Sequence, residues 1–289
     1  NSYFFKKEIN LKNKKIDYKT INDVLSYKTL SFIKEHKRKY LKNYLKIFNF
    51  YNLRRLIIKF SNKYILNQKE DYDYLFKYIA KHFTMLSNFI FNKKLYSSTL
   101  PEKFIYFPLH VYNDMALTIR APQYLNQIKL INKIYKLIPK NYKLVIKEHP
   151  SNVGGYNFEN IKKLISESKI NLIYPYINNY EIMKKSSLVI TVNSKTGVES
   201  LILGKKLITL ANSFYFHFDG SIKTKLDKKE ILNLLNKKDR NNKNEFNKIL
   251  NYIQNISHKG EMFNLKNKNI FIFRKYLKKF FKKELFDFS

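Results

Sequence analysis

Leu188-Val189-Ile190-Thr191-Val192-Asn193-Ser194-Lys195-Thr196-Gly197-Val198-Glu199-Ser200-Leu201-Ile202-Leu203-Gly204-Lys205-Lys206-Leu207-Ile208-Thr209-Leu210 reads as strand, helix and strand in succession. The run Leu188–Val192 is rich in β-branched residues and apolar but for Thr191, the pattern of a strand covered on both faces. A helix is predicted from Thr196 to Leu203, ended by Gly204, and a second strand from Lys206 to Leu210. Two strands joined through a helix run parallel in one sheet.

The same alternation extends upstream. Lys103–Phe107 is a strand ending at Pro108, and Gln123–Ile138 an amphipathic helix with Leu125, Ile128, Ile131, Ile134, Tyr135 and Ile138 on one face. Tyr142–Lys147 and Asn171–Tyr174 are further strands, followed by helices at Asn157–Glu167 and Asn179–Lys185. The fold class is therefore α/β, a Rossmann-type parallel sheet with helices on both faces, over residues 98–226. Residues 1–97 and 227–289 read as helical. In the first of these, Tyr72–Ala80 carries apolar residues at helical spacing; in the second, Phe273, Tyr276, Leu277, Phe280 and Phe281 share a face. Lys275, Lys278, Lys279, Lys282 and Lys283 lie off that face. Such a helix suits packing across domains or contact with an anionic membrane surface.

Composition narrows the function classes. At 44% hydrophobic and 16% aromatic, the 289 residues can bury a sizeable core and are too apolar for a disordered tail. No cysteine is present, which excludes disulfides, thiolate metal sites and thiol nucleophiles and fits a reducing compartment. The apolar runs are strand-sized, too short to span a bilayer. The net charge of +34 comes from lysines scattered among Asn, Ile, Phe and Tyr, a pattern expected of AT-rich coding bias. Arginine, the residue favoured for bidentate base readout, is scarce, so specific nucleic-acid recognition is not expected. The chain opens at Asn1 rather than Met, which predicts a piece of a longer protein.

Ligands of an open parallel sheet bind beyond the carboxyl ends of its strands, which selects the loops 108–114, 147–155, 174–179, 192–197 and 210–217. Lys147-Glu148-His149-Pro150 offers an imidazole at a strand tip with positive charge beside it; the histidine can serve a phosphate or simply bond a loop carbonyl. In Asn193-Ser194-Lys195-Thr196-Gly197-Val198-Glu199, Thr196 and Glu199 have the spacing of a capping box. The same segment opens a helix at the sheet's carboxyl edge, where free N–H groups and the dipole attract an anion. There Ser194 and Thr196 add hydroxyls, Lys195 adds charge, Gly197 permits close approach, and Glu199 can take a ribose diol. His110 and Asp114 are candidates for proton transfer, with Asn113-Asp114 as a backbone-capping turn the alternative. Tyr215 either stacks on a base or belongs to the core.

These pieces together resemble the capsule polysaccharide biosynthesis family, whose members include β-Kdo transferases of the GT-B type. The matching residues are Phe107-Pro108-Leu109-His110, Gln127, Pro139, Lys147-Glu148-His149-Pro150, Thr191 to Glu199, Gly204-Lys205 and Tyr215. The resemblance implies a CMP-linked sugar donor, with His149 and Pro150 as the phosphate-binding motif and Ser194 and Thr196 holding the phosphate from the other side. It also implies a ribose contact for Glu199, and an N-terminal acceptor domain of which 1–97 is a remnant. Asn113 and Asp114 stand where a family His-x-x-Pro-Glu pattern has proline and glutamate, and Lys206 replaces a usual proline.

The resulting expectation is a metal-independent glycosyltransferase that needs no cofactor. Its partners are a nucleotide-sugar donor, most readily CMP-Kdo, and a glycan or glycolipid acceptor at the inner face of the cytoplasmic membrane. Asp71-Tyr72-Asp73 has the spacing of a metal-binding Asp-x-Asp but lies in helical sequence. Two alternatives stay open: a teichoic-acid-type CDP-polyol phosphotransferase, and a basic binding module on a degenerate nucleotide fold.

Overall fold

The computed structural model describes residues 50–68, 75–111, 114–166, 169–215, 221–223, 226–239, 247–248, 251 and 267–286. The chain divides into two compact units, Asp23–Asn241 and a second formed by Asn1–Asn22 with Asn242–Ser289.

The larger unit is built on six parallel strands: β1 (Phe104–Pro108), β2 (Lys143–Lys147), β3 (Ile170–Ile173), β4 (Leu188–Thr191), β5 (Leu207–Thr209) and β6 (Ser221–Lys223). Their order is β3-β2-β1-β4-β5-β6. Every pairing is parallel, with Phe104 opposite Lys143 and Ile105 opposite Leu188. This is the Rossmann order: the chain leaves β1 towards one edge, then returns to β1's other side with β4. The α/β expectation holds.

Parallel pairing demands crossovers, and the helices supply the apolar faces that cover the sheet. α1 (Phe50–Tyr64), α2 (Leu75–Asn92) and the short α3 (Met115–Thr118) precede α4 (Gln127–Leu137), α5 (Phe158–Ile165), α6 (Asn179–Lys185), α7 (Lys195–Ile202) and α8 (Lys228–Asn236). Leu130, Ile131 and Ile134 of α4, Ile161 and Leu164 of α5, and Ile231 and Leu234 of α8 pack with Ile105, Phe107, Ile146, Leu172 and Ile190 in one core. Side chains of this size each contribute roughly 1.5–3 kcal/mol on burial.

α2 is tied to the loop after β2. Asn88 donates to Gly154 O at 3.0 Å, and the rings of Phe91 and Phe158 stand 5.5 Å apart. The approach requires a glycine: Gly154 has φ +75°, and a Cβ there would lie 2.1 Å from Met85 O.

Three local expectations change. The helix from Gln123 is interrupted: Pro122–Tyr124 forms a 3-10 turn, and Asn126 accepts from Lys129 N at 2.9 Å to start α4 afresh. α7 begins at Lys195 with Ser194 as its cap, so Thr196 lies inside the helix and the capping box with Glu199 does not form. β6 was not anticipated, because Ser221-Ile222-Lys223 carries a single apolar residue and is a strand only through its pairing with β5. Asp71-Tyr72-Asp73 and Tyr74 lie outside the described residues.

In the smaller unit, α9 (Asn267–Phe286) leaves Leu277 exposed and Phe273 half-buried; the side chains of Tyr276, Phe280 and Phe281 are outside the described residues. Among the described residues no helix is long and apolar enough to cross a membrane.

Candidate functional site

The strand order reverses between β1 and β4, and in open parallel sheets ligands bind at the carboxyl edge beside such a switch point. The segments following these two strands are joined: Asn193 Nδ2, after β4, donates to Ala116 O in α3 at 2.8 Å.

The start of α7 follows β4 at this edge. Ser194 holds the N-cap position, but its Oγ lies 2.8 Å from Thr191 Oγ1 and makes no capping hydrogen bond, so no side chain closes the first turn. An open first turn presents backbone donors and the positive dipole end. Tyr215 supports this turn from below, its hydroxyl donating to Ser194 O at 2.7 Å. Tyr215 is fully buried, and a Cβ on Gly197 would lie 2.4 Å from its hydroxyl. Gly197 is therefore small to admit Tyr215. Of the two readings of Tyr215, the core one is found.

One helical turn on, Glu199 gathers several elements. Its charge acts on Tyr180 of α6, Tyr106 of β1, Lys147 of β2 and Tyr215. Lys147 is buried, with Nζ donating to Ile177 O at 3.0 Å. Burial pushes its ammonium down to about 8, against the opposing pull of Glu199.

The residues after Lys147 diverge, as successive residues in a strand do. Glu148 is fully buried and accepts from the Tyr96 hydroxyl. Burial raises its carboxyl to about 7, although Tyr96 and the backbone N–H groups of Gly154 and Tyr156 favour the ionised form. His149 is exposed. Its Nδ1 accepts from Ser151 N at 3.2 Å and lies 2.6 Å from Ser151 Oγ, which puts the neutral ring's proton on Nε2. Pro150 opens the 3-10 turn Pro150–Asn152 that seats Ser151 for this contact.

The sequence matches the family described as capsule polysaccharide biosynthesis protein over residues 5–254. The chain belongs to this family. Protein FixF of Sinorhizobium fredii (strain NBRC 101917 / NGR234) is 27% identical over 138 residues, which are 46% of this chain and 32% of that protein. The chain thus spans about a third of that relative's length. Among solved structures, the Thermosulfurimonas dismutans KpsC, beta Kdo 2,7 transferase, is similar at 17% identity and TM-score 0.39, over 70% of this chain and 57% of that one. UDP-GlcNAc 2-epimerase from Methanocaldococcus jannaschii is similar at 22% identity and TM-score 0.36, over 59% and 48% of the two chains.

The first loop is held by the side chain of Gln127, one of the residues that carry the family resemblance. Gln127 Oε1 accepts from His110 N at 2.8 Å, Gln127 Nε2 donates to His110 O at 3.2 Å, and the Tyr156 hydroxyl donates to the same carbonyl at 2.9 Å. His110 is buried, and its Nε2 has no partner among the described residues. Burial lowers its imidazole to about 4, with nearby Asp114 opposing, so the ring is neutral near pH 7. Asp114 is exposed and accepts from Ala116 N at 3.1 Å through Oδ1, capping α3. The turn-capping reading of Asp114 is the one its geometry satisfies; Asn113 lies outside the described residues. Lys195 is exposed at the head of α7, and Thr196 is buried with its hydroxyl accepting from Asn179 Nδ2 at 3.3 Å.

Sequence does not single out Tyr96, Tyr106 or Tyr180, and marks Asn179 only as the end of the loop 174–179 and the start of a helix. Each is an ordinary strand, loop or helix residue until the sheet brings it against a site residue.

Proposed function

We propose that the unit 23–241 is the donor-binding half of a GT-B-type glycosyltransferase in capsule or surface polysaccharide synthesis. The donor is a CMP-linked acidic sugar such as Kdo, and the acceptor a growing surface glycan or glycolipid. Membership of the capsule polysaccharide biosynthesis family supports the biological role. The observation that carries the donor site is the start of α7, without a side-chain cap bond, at the β1/β4 switch point, with Thr196 inside its first turn and Glu199 one turn further.

In this reading, the α7 backbone donors and the Thr196 hydroxyl receive the phosphate. His149 contributes Nε2–H, and Lys147 positive charge from beneath. Transfer leaves negative charge on the departing CMP, and donors fixed in advance at that position stabilise it; one such donor is worth about 10²–10³ in rate. Glu199, close to Tyr180, takes the ribose hydroxyls. His110 enters as a neutral hydrogen-bonding group. No step calls for a metal or cofactor. The lysines of α9 meet the anionic inner face of the cytoplasmic membrane.

The test is a thermal-shift titration of the purified chain with CMP, CDP, UMP and UDP, with His149→Ala in parallel. Stabilisation by CMP that is lost in the variant is the expected result. A response to CDP alone would favour transfer of a polyol phosphate. A folded chain indifferent to every nucleotide, yet binding nucleic acid with steep salt dependence, would replace the enzyme with a basic binding module.

A further inference from the structure

Thr196 sits at the end of a short line of buried polar groups. Tyr106, in the central strand β1, is fully buried, and its hydroxyl donates to Asn179 Oδ1. Asn179 opens α6, and its Nδ2 donates to Thr196 Oγ1 at 3.3 Å. A line of hydrogen bonds from β1 through the start of α6 thus ends on one hydroxyl of α7.

The direction of each bond follows from the inventory of protons. A phenol carries one, and Asn179 is the partner of the Tyr106 hydroxyl among the described residues. Donating to Oδ1 leaves no buried proton orphaned, whereas the flipped amide would aim Nδ2 at the phenol and strand the phenolic proton. With Oδ1 so engaged, the amide must present Nδ2 to Thr196. Thr196 Oγ1 therefore accepts, and its own proton must go elsewhere. A helical threonine commonly returns that proton to a carbonyl one turn back, here Val192 O. That carbonyl instead takes Ala211 N at 2.9 Å, and Thr196 makes no such bond among the described residues. The hydroxyl is left as a donor at the first turn of α7, a position suited to a group that only accepts.

We propose that Tyr106 and Asn179 are positioning residues that hold the Thr196 hydroxyl as a hydrogen-bond donor towards the phosphate of the donor substrate. The inference rests on the donor-site reading above and adds its selectivity: the relay favours a phosphate oxygen and disfavours a group that must donate.

Asn179→Asp tests it with nearly unchanged shape. The carboxylate still accepts from Tyr106, but an acceptor replaces Nδ2, and Thr196 turns its proton inward to meet it. CMP affinity, measured by calorimetric titration, is expected to fall about tenfold or more, with the melting temperature close to that of the parent chain. Thr196→Val is expected to weaken CMP similarly, and Thr196→Ser to restore it. The double variant Asn179→Asp/Thr196→Val separates the relay from simple charge repulsion. If Asn179 acts through Thr196, adding the Asp to the Val variant changes affinity by less than about threefold, since coupled residues are not additive. A full tenfold loss on top of Val, or an Asn179→Asp chain that binds CMP normally, overturns the proposal. CMP binding that depends on His149 but ignores Thr196 and Asn179 would sink the relay and leave the donor site standing. A parent chain that does not bind CMP would take both down.

Discussion

Replacing Gly197 with alanine separates what the sequence suggests from what the structure requires. Gly197 is the third residue of α7 and does not have a positive φ, so alanine fits its backbone. Helix propensity alone then forecasts a gain of about 1 kcal/mol. The added methyl, however, would lie 2.4 Å from the Tyr215 hydroxyl, 2.5 Å from Cζ and 2.6 Å from Cε2. Tyr215 is fully buried and cannot swing into solvent. Overpacking of this kind costs about 1–3 kcal/mol. Shifting the ring also breaks its 2.7 Å bond to Ser194 O, a further loss of about 1 kcal/mol. Set against the propensity gain, the net expectation is destabilisation by roughly 1–3 kcal/mol. With a urea m-value of about 2–3 kcal/mol/M, the midpoint falls by roughly 0.3–1.5 M. Urea unfolding followed by far-ultraviolet circular dichroism reads this directly, and Gly197→Ala/Tyr215→Leu should recover part of the loss by emptying the space the methyl needs. A midpoint that rises in the single variant, at unchanged m, would refute the claim that the tyrosine sets the residue at 197.

The pH dependence of stability should contain two opposed contributions. Glu148 has its carboxyl raised to about 7 in the folded chain, so the native state holds the proton more tightly and stability falls as pH rises from about 4.5 to 7. His110 has its imidazole lowered to about 4, so the unfolded chain holds that proton more tightly and stability rises from about pH 4 to 6.5. The two largely cancel in the parent chain; denaturation midpoints of Glu148→Gln should climb with pH through this window, and a flat profile would remove Glu148 as a source. Gly154→Ala should destabilise by more than about 1 kcal/mol, since it combines a positive φ with a clash against Met85 backbone, and limited proteolysis should show α2 cut first. Asp114→Asn keeps an oxygen for the Ala116 N–H and should change both melting temperature and transfer rate little. Turnover slowed by about a hundredfold or more would instead assign Asp114 to proton transfer.

Much of the candidate site's layout was legible in the sequence. Loops at strand ends follow from strand–helix alternation, and those after Phe107, Lys147 and Val192 do surround the switch point. What each residue does there was less legible. Lys147, Glu148 and His149 are adjacent, yet one is buried beside Glu199, one is buried against Tyr96 and one is exposed. Thr196 and Glu199 have capping-box spacing, but Ser194 is the cap, because Thr191 and Tyr215 hold it where the helix must begin. A spacing rule counts residues along one chain segment and takes no account of the neighbour that fixes where the segment starts.

The sequence by itself determined that a parallel α/β sheet forms, because the period of apolar residues switches between two and 3.6 along the chain and short links leave parallel crossovers as the outcome. It also determined which loops carry the polar chemistry. Only the tertiary structure decided that β4 returns beside β1, that Ser221–Lys223 becomes a sixth strand, and that Tyr106 and Asn179 reach Thr196. Local periodicity records which face of an element is buried. Which elements share that burial is settled by packing between distant segments, and the hydrogen bonds that orient a site form only across those contacts.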